Sequence, residues 1–131
     1  MNALGKHLVL ELKDCNAEII NDLSLLRDIL TSAAREAGAT VLGESFHRFE
    51  PHGVSGVVII AESYMSIHTW PEHCYVAADI FTCGDSCSPE AAAQLLVQEL
   101  GCKSPGIFEL TRGLLDENRE EHGLRPTQMV I

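Results

Sequence analysis

The stretch from Thr40 to Thr82 most constrains how this chain folds. Thr40 to Glu50 reads as a strand, and Pro51-His-Gly53 as a turn. Val54 to Ala61 reads as the next strand. Tyr64 to Trp70 follows, ended by Pro71, and then Tyr75 to Thr82, ended by Gly84. Four successive strands joined by such short turns run antiparallel, because a parallel pair needs a long crossover.

The flanks supply one more strand and one helix on each side. In His7 to Lys13, Leu8, Leu10 and Leu12 fall on one face of a strand. Asn21 is expected to cap a helix beginning at Asp22. Leu26, Ile29, Leu30, Ala33, Ala34 and Ala37 repeat at helical spacing before Gly38 stops it. Ser88-Pro89-Glu90 is a second helix start, with a capping hydroxyl, a proline at the first helical position and then an acid. That helix is expected to bury Ala92, Leu95, Leu96 and Leu100 and to stop at Gly101. Ile107 to Thr111 reads as a sixth strand, and the tail from Leu114 as partly irregular.

The order predicts an α+β two-layer sandwich, a mainly antiparallel sheet with helices on one face. Val54, Val58 and Ile60 lie on one side of the third strand, and Ser55, Val57, Ile59 and Ala61 on the other. Both sides are largely apolar. The face away from the helices is therefore expected to pack on a partner subunit, making a homodimer with a larger layered sandwich.

With 131 residues and no repeat or linker, residues 1–131 are expected to form a single domain with a real core. Nine basic residues against 19 acidic ones give a net charge of −10. Such a surface repels phosphate backbones, which argues against nucleic acid. The longest purely apolar run, Val57 to Ala61, is far too short to span a bilayer, so no membrane association is expected. Glu11 interrupts the only N-terminal apolar stretch, so no signal peptide is expected. Five cysteines, an odd number without framework spacing, point to a reduced, cytoplasmic protein.

Polar and aromatic residues crowd the segment from Phe46 to Gly84. They include Phe49, Ser55, Glu62, Ser63, His68, Trp70, Glu72, His73 and Cys83. Each has an ordinary structural reading. Serines near strand ends serve turns, a lone strand histidine is usually satisfied locally, and a lone cysteine is usually a small buried hydrophobe. As sets, three chemistries are open. A zinc site from His68, His73, Cys83 and Cys87 lacks knuckle spacing, and no metal is expected. A Cys83–His68 nucleophile pair lacks a local oxyanion hole. The third is a serine that modifies the chain itself.

Three segments carry a resemblance. They are Gly53-Val-Ser-Gly-Val-Val-Ile-Ile-Ala-Glu-Ser63, Ser66-Ile-His-Thr-Trp-Pro-Glu72 and Asp79-Ile-Phe-Thr-Cys-Gly84. Together with Leu4-Gly-Lys-His-Leu8 and Arg112-Gly113, they closely resemble the short prokaryotic S-adenosylmethionine decarboxylase proenzymes. The resemblance implies self-cleavage between Glu62 and Ser63, into residues 1–62 (the beta chain) and 63–131 (the alpha chain). The serine oxygen attacks the preceding carbonyl, an ester forms, and elimination and hydrolysis leave a pyruvoyl group derived from Ser63. A protein-bound ketone takes the role that pyridoxal phosphate fills elsewhere, so no pyridoxal phosphate is implied. By matching positions, Ser55 and His68 resemble the processing pair. Cys83 resembles the catalytic acid. Phe49 sits where an aromatic stacks on adenine, and Glu72 where a carboxylate holds the ribose hydroxyls.

The implied reaction decarboxylates S-adenosylmethionine for polyamine synthesis. Some relatives take arginine or ornithine instead, which Phe49 and Glu72 disfavour because a small amino acid has no adenine or ribose to grip. A non-catalytic homologue is disfavoured by the intact Ser63, His68 and Cys83. Two positions depart from the family pattern: Tyr64 stands where histidine is common, and Cys74 where glycine is usual.

Strand arithmetic adds an independent expectation. Ser55 and Ser63 are eight residues apart, about 26 Å on one extended strand at ~3.3 Å per residue. Across a hairpin centred near Ala61–Glu62, Ser55 falls opposite His68 while Ser63 sits at the tip. If all three act together, the tip must reach another protomer's pair. With the doubly apolar sheet and the shared-site pattern that the resemblance implies, one chain is expected to supply Ser63 and Cys83, and the other Phe49, Ser55, His68 and Glu72.

Overall fold

The structure, a computed structural model, describes residues 3–115 and 128–129. The described strands are β1 (Ala3–Lys13), β2 (Thr40–Arg48), β3 (Val54–Ala61), β4 (Ser63–Trp70), β5 (Tyr75–Cys83), β6 (Ser104–Leu114) and β7 (Gln128–Met129). Helix α1 spans Leu23–Glu36 and α2 spans Pro89–Glu99. The strands form one sheet in the order β2-β3-β4-β5-β1-β6-β7. Every pairing is antiparallel. The expected α+β sandwich is the observed one, with β1 inserted between β5 and β6.

Alternation explains the layering. Leu8, Leu10 and Leu12 of β1 are fully buried, as are Val58 of β3 and Ile67 of β4. Each such leucine contributes roughly 2 kcal/mol by leaving water. They meet Leu26, Leu30, Ala33 and Ala34 of α1 and Ala92, Ala93 and Leu96 of α2 in one core. Phe46 of β2 lies over Gly56 of β3, where a Cβ would meet the ring at 2.1 Å. Only glycine at 56 lets that ring close the edge of the core beside Ser55.

The opposite face of the sheet carries His7, Tyr64, Ser66, Tyr75, Asp79 and Phe81 and is half-open. Ile59 on that face is 50% exposed. Of the two apolar sides expected on β3, the helices cover the one with Val54, Val58 and Ile60.

Several boundaries differ from the sequence reading. The α1 cap is Asp22, not Asn21: Asp22 Oδ1 accepts from the Leu25 N–H at 3.1 Å. Asn21 is drawn away because its Oδ1 accepts from the Gly53 N–H at 3.0 Å. Strand β1 starts four residues earlier than expected and β2 ends two residues earlier, because Phe49 N–H turns to the Gly53 carbonyl at 2.8 Å. Strand β6 is far longer than Ile107 to Thr111, held along its length by β1. The tail beyond Leu115, expected to be partly irregular, lies outside the described residues except for β7. Among the described residues no helix is long and apolar enough to cross a membrane.

Candidate active site

The β3–β4 hairpin separates the candidate residues into two groups. Ser55 pairs with His68 in the ladder, and Oγ lies 3.0 Å from Nδ1. At the other end, β3 stops at Ala61, Glu62 makes the turn, and Ser63 opens β4 opposite Ile60. Five residues of strand separate His68 from Ser63, about 17 Å.

The Ser55–His68 end is a concave pocket of about 360 Å³, whose lining includes Phe49, His52, Ser55, His68, Trp70 and Glu72. Two turns build it. The turn after β2 presents Phe49, 46% exposed, with the His47 ring edge-on at 4.6 Å. The turn after β4 is a single 3-10 turn, Pro71–His73, that projects Glu72. A hydrogen bond from its own backbone N–H, together with the nearby His52, holds the Glu72 carboxyl below its ordinary value. His52 Nε2 lies 3.0 Å from Glu72 Oε1. Trp70 is 40% exposed and packs on Tyr75, with centroids 5.4 Å apart. An exposed aromatic platform beside a carboxylate suits a flat base attached to a polyhydroxyl ring.

Near the Ser63 end lies a second concavity of about 690 Å³, whose lining includes Lys6, Glu62, Thr82, Cys83, Gly84 and Asp85. Ser63 pairs with Thr82, which places Cys83 one residue from Ser63's partner. Ser63 has φ +113°, a region a side chain rarely occupies, at a cost on the order of 1 kcal/mol or more. Lys6 Nζ donates to Glu90 Oε2 at 2.8 Å, and that bond pushes the Lys6 ammonium up. Cys83 and Glu62, which flanks Ser63 in sequence, both line this concavity, and residues of this kind fit a pyruvoyl group made from Ser63.

His68 pairs with Ala77, so Cys83 lies six residues further along β5, about 20 Å away. Neither the zinc set nor a Cys83–His68 pair is therefore assembled within one chain. Among the described residues no group of three or more histidine, cysteine or acidic side chains is placed to hold a metal ion. All five cysteines are free.

Two features escape sequence reading. One is His52, whose only signal was its place in the Pro-His-Gly turn. The other is a polar cluster around Asp79 on the open sheet face. Asp79 Oδ2 accepts from His7 Nε2 at 2.7 Å and from Tyr64 O–H at 2.8 Å, and Asp79 Oδ1 accepts from the Ser66 hydroxyl. Arg112 Nη1 lies 3.4 Å from His7 Nδ1, and its guanidinium sits over the Phe81 ring at 5.1 Å. Burial works to raise Asp79, but the bonds from Ser66, His7 and Tyr64 outweigh it and hold its carboxyl below the ordinary range. Tyr64, one of the two positions read from the sequence as departures, is thus a donor to Asp79.

Comparison with known proteins bears directly on this arrangement. The S-adenosylmethionine decarboxylase family profile matches residues 6–113. An S-adenosylmethionine decarboxylase proenzyme of Thermodesulfovibrio yellowstonii is 50% identical over 121 residues, 92% of this chain and 90% of that protein. A proenzyme of the same name from Prochlorococcus marinus is 52% identical over 109 residues, 83% of this chain and 87% of its own length. The crystal structure of the adenosylmethionine decarboxylase from Aquifex aeolicus superposes with a TM-score of 0.83 at 33% identity, covering 90% of this chain and 98% of that one. With a family profile spanning most of the chain and relatives half identical along nearly all of it, this chain belongs to the S-adenosylmethionine decarboxylase family.

Proposed function

We propose that the chain is a proenzyme that cuts itself between Glu62 and Ser63 and then decarboxylates S-adenosylmethionine. The supporting observation is one juxtaposition in a chain half identical to such proenzymes. A strained serine stands at the β3–β4 tip, paired with Thr82, the residue before Cys83 on the neighbouring strand. The single domain then becomes residues 1–62 and 63–131. The workplace is the cytoplasm, where five free thiols stay reduced.

Processing begins with Ser63 Oγ attacking the Glu62 carbonyl carbon. The amide nitrogen becomes an amine and Glu62 an ester. Ser55 and His68, sharing a hydrogen bond, move the proton that leaves Oγ and the one taken from the Ser63 α-carbon on elimination. Elimination breaks the Cβ–O bond and frees the Glu62 carboxylate, and water then hydrolyses the imine form of the resulting dehydroalanine to the ketone with loss of ammonia. The pyruvoyl group, once formed, supplies a carbonyl that receives the substrate amine and the electron pair left by CO2. Phe49 holds the adenine, and Glu72 accepts hydrogen bonds from the ribose hydroxyls. Cys83 carries a proton on Sγ for the product α-carbon. The decarboxylated product donates an aminopropyl group to polyamine synthesis.

The pocket favours S-adenosylmethionine over arginine or ornithine, since an exposed aromatic beside Glu72 has no counterpart in a small amino acid. We further propose a homodimer in which the half-open sheet faces meet and each site is shared. The separation of about 17 Å between Ser63 and the Ser55–His68 pair is the supporting geometry. The test of function is CO2 release from carboxyl-labelled S-adenosylmethionine, arginine and ornithine in parallel. Release from S-adenosylmethionine alone is expected. Release from only arginine or ornithine would overturn the substrate assignment.

A further inference from the structure

His52 stands at the boundary of two concavities. It lines the 360 Å³ pocket with Phe49, Ser55 and His68. It also lines a cleft of about 730 Å³ with Glu18, Asp22 and Arg48. Glu72 lines both as well, so the His52–Glu72 contact of 3.0 Å forms part of the wall between them.

The turn that carries His52 is pinned on three sides. Phe49 N–H donates to the Gly53 carbonyl at 2.8 Å, and Gly53 N–H donates to Asn21 Oδ1 at 3.0 Å. Val54 N–H donates to Thr69 Oγ1 at 2.9 Å. Gly53 has φ +105°, and a Cβ there would lie 3.1 Å from the Thr69 carbonyl oxygen. His52 therefore extends from a fixed base. Glu72 does not share that rigidity: it sits on a single 3-10 turn with its side chain 39% exposed. An untethered Glu72 also has a competing cation, Arg48, on the cleft side.

We propose that His52 is a positioning residue. It fixes Glu72 Oε1 on the Phe49 side of the wall and leaves the remaining lone pairs of the carboxylate to the vicinal ribose hydroxyls. This rests on the reading of Glu72 as the ribose ligand. A carboxylate held in place accepts hydrogen bonds from two hydroxyls at once without first losing side-chain freedom. The contact is partly solvent-exposed, which keeps its effect modest. His73 also favours the Glu72 charge, so it is the control.

The experiment measures kcat and KM for S-adenosylmethionine with fully cleaved His52→Ala, His52→Gln, His73→Ala, Glu72→Ala and His52→Ala/Glu72→Ala proteins. His52→Ala is expected to raise KM about three- to fivefold with kcat within about twofold. His52→Gln, which keeps an N–H donor, is expected to recover most of the loss, and His73→Ala to leave KM unchanged. The double variant is expected to bind no worse than Glu72→Ala alone. With an analogue lacking both ribose hydroxyls, the His52→Ala penalty is expected to vanish, which a merely structural role would not produce. An unchanged KM in His52→Ala beside a raised KM in Glu72→Ala overturns the positioning role alone. So does a full additional penalty in the double variant. An unchanged KM in Glu72→Ala overturns the ribose reading and this inference with it.

Discussion

Ser55 faces His68 directly across the β3–β4 ladder, with 3.0 Å between Oγ and Nδ1. The pair lies on the half-open face of the sheet, away from the helices. A hydroxyl hydrogen-bonded to an imidazole is a ready proton carrier near neutral pH. The peptide bond it is proposed to serve lies five residues away at the hairpin tip, out of its reach in the same chain.

Self-cleavage is expected to yield two pieces under denaturing conditions. One runs from residue 1 to a free Glu62 carboxylate. The other begins at the residue derived from Ser63 and has no free amino terminus. Ser63→Ala stays full-length, because it has no hydroxyl to attack with. His68→Ala is expected to slow cleavage by about 10²-fold or more, the usual worth of a positioned acid–base group. Intact-mass measurement after timed incubation checks both. Cutting at this bond in Ser63→Ala contradicts the mechanism.

In the proposed mechanism Cys83 is the proton donor to the product α-carbon after CO2 has left. A chain without that thiol would let the proton land elsewhere, which would leave the cofactor position aminated and inactive. A processed Cys83→Ala protein is expected to lose turnover by about 10²-fold or more and to inactivate in fewer cycles. Turnover number and the mass of the alpha chain after reaction check this. Normal turnover makes the thiol merely structural.

The two tyrosines give a clean alkaline signal, since the chain has no others. Tyr64 O–H donates to Asp79 and Tyr75 O–H to Glu11. Burial, and then the carboxylate each one faces, pushes both up to about 12. The folded value thus lies above the ordinary value of about 10. The stability these protons contribute is complete below about pH 10 and is lost as pH rises through about 12. Phenolate absorbance of the folded protein is expected to rise only near pH 12, and ionisation near pH 10 with the fold intact contradicts it. Tyr64→Phe removes one of three donors to Asp79. It is expected to cost about 1 kcal/mol, read from a urea midpoint.

Legibility in the sequence tracked how local each cause is. The α2 start was readable because Ser88 caps Ala91 N–H three residues on, at 3.3 Å. The hairpin register was readable because a short turn leaves few alternatives. The α1 cap is ambiguous in the sequence because two capping residues, Asn21 and Asp22, stand side by side. A contact 32 residues away, Asn21 to Gly53, decides between them. Most of β6 was hidden behind Pro105, Gly106 and Gly113, since its pairing with β1 outweighs local propensity. The Asp79 cluster was invisible because only the register across β1, β5 and β4 brings His7, Tyr64 and Ser66 together. His52 reads in the sequence as a turn residue, since its partner Glu72 lies 20 residues on.

The sharing of each site between two chains is tested most directly by mixing two defects. One chain carries Ser63→Ala and cannot form the cofactor. The other carries Glu72→Ala, which is cleaved but binds substrate poorly. Two different tags isolate the heterodimer after co-expression. In a shared arrangement both lesions fall in one site, and the other site takes Ser63 and Cys83 from the second chain and Phe49, Ser55, His68 and Glu72 from the first. The heterodimer is expected to recover up to about half of the parent activity on labelled S-adenosylmethionine, because one of two sites is whole. If the heterodimer forms, its Glu72→Ala chain is cleaved and no activity returns, each site is built within a single chain.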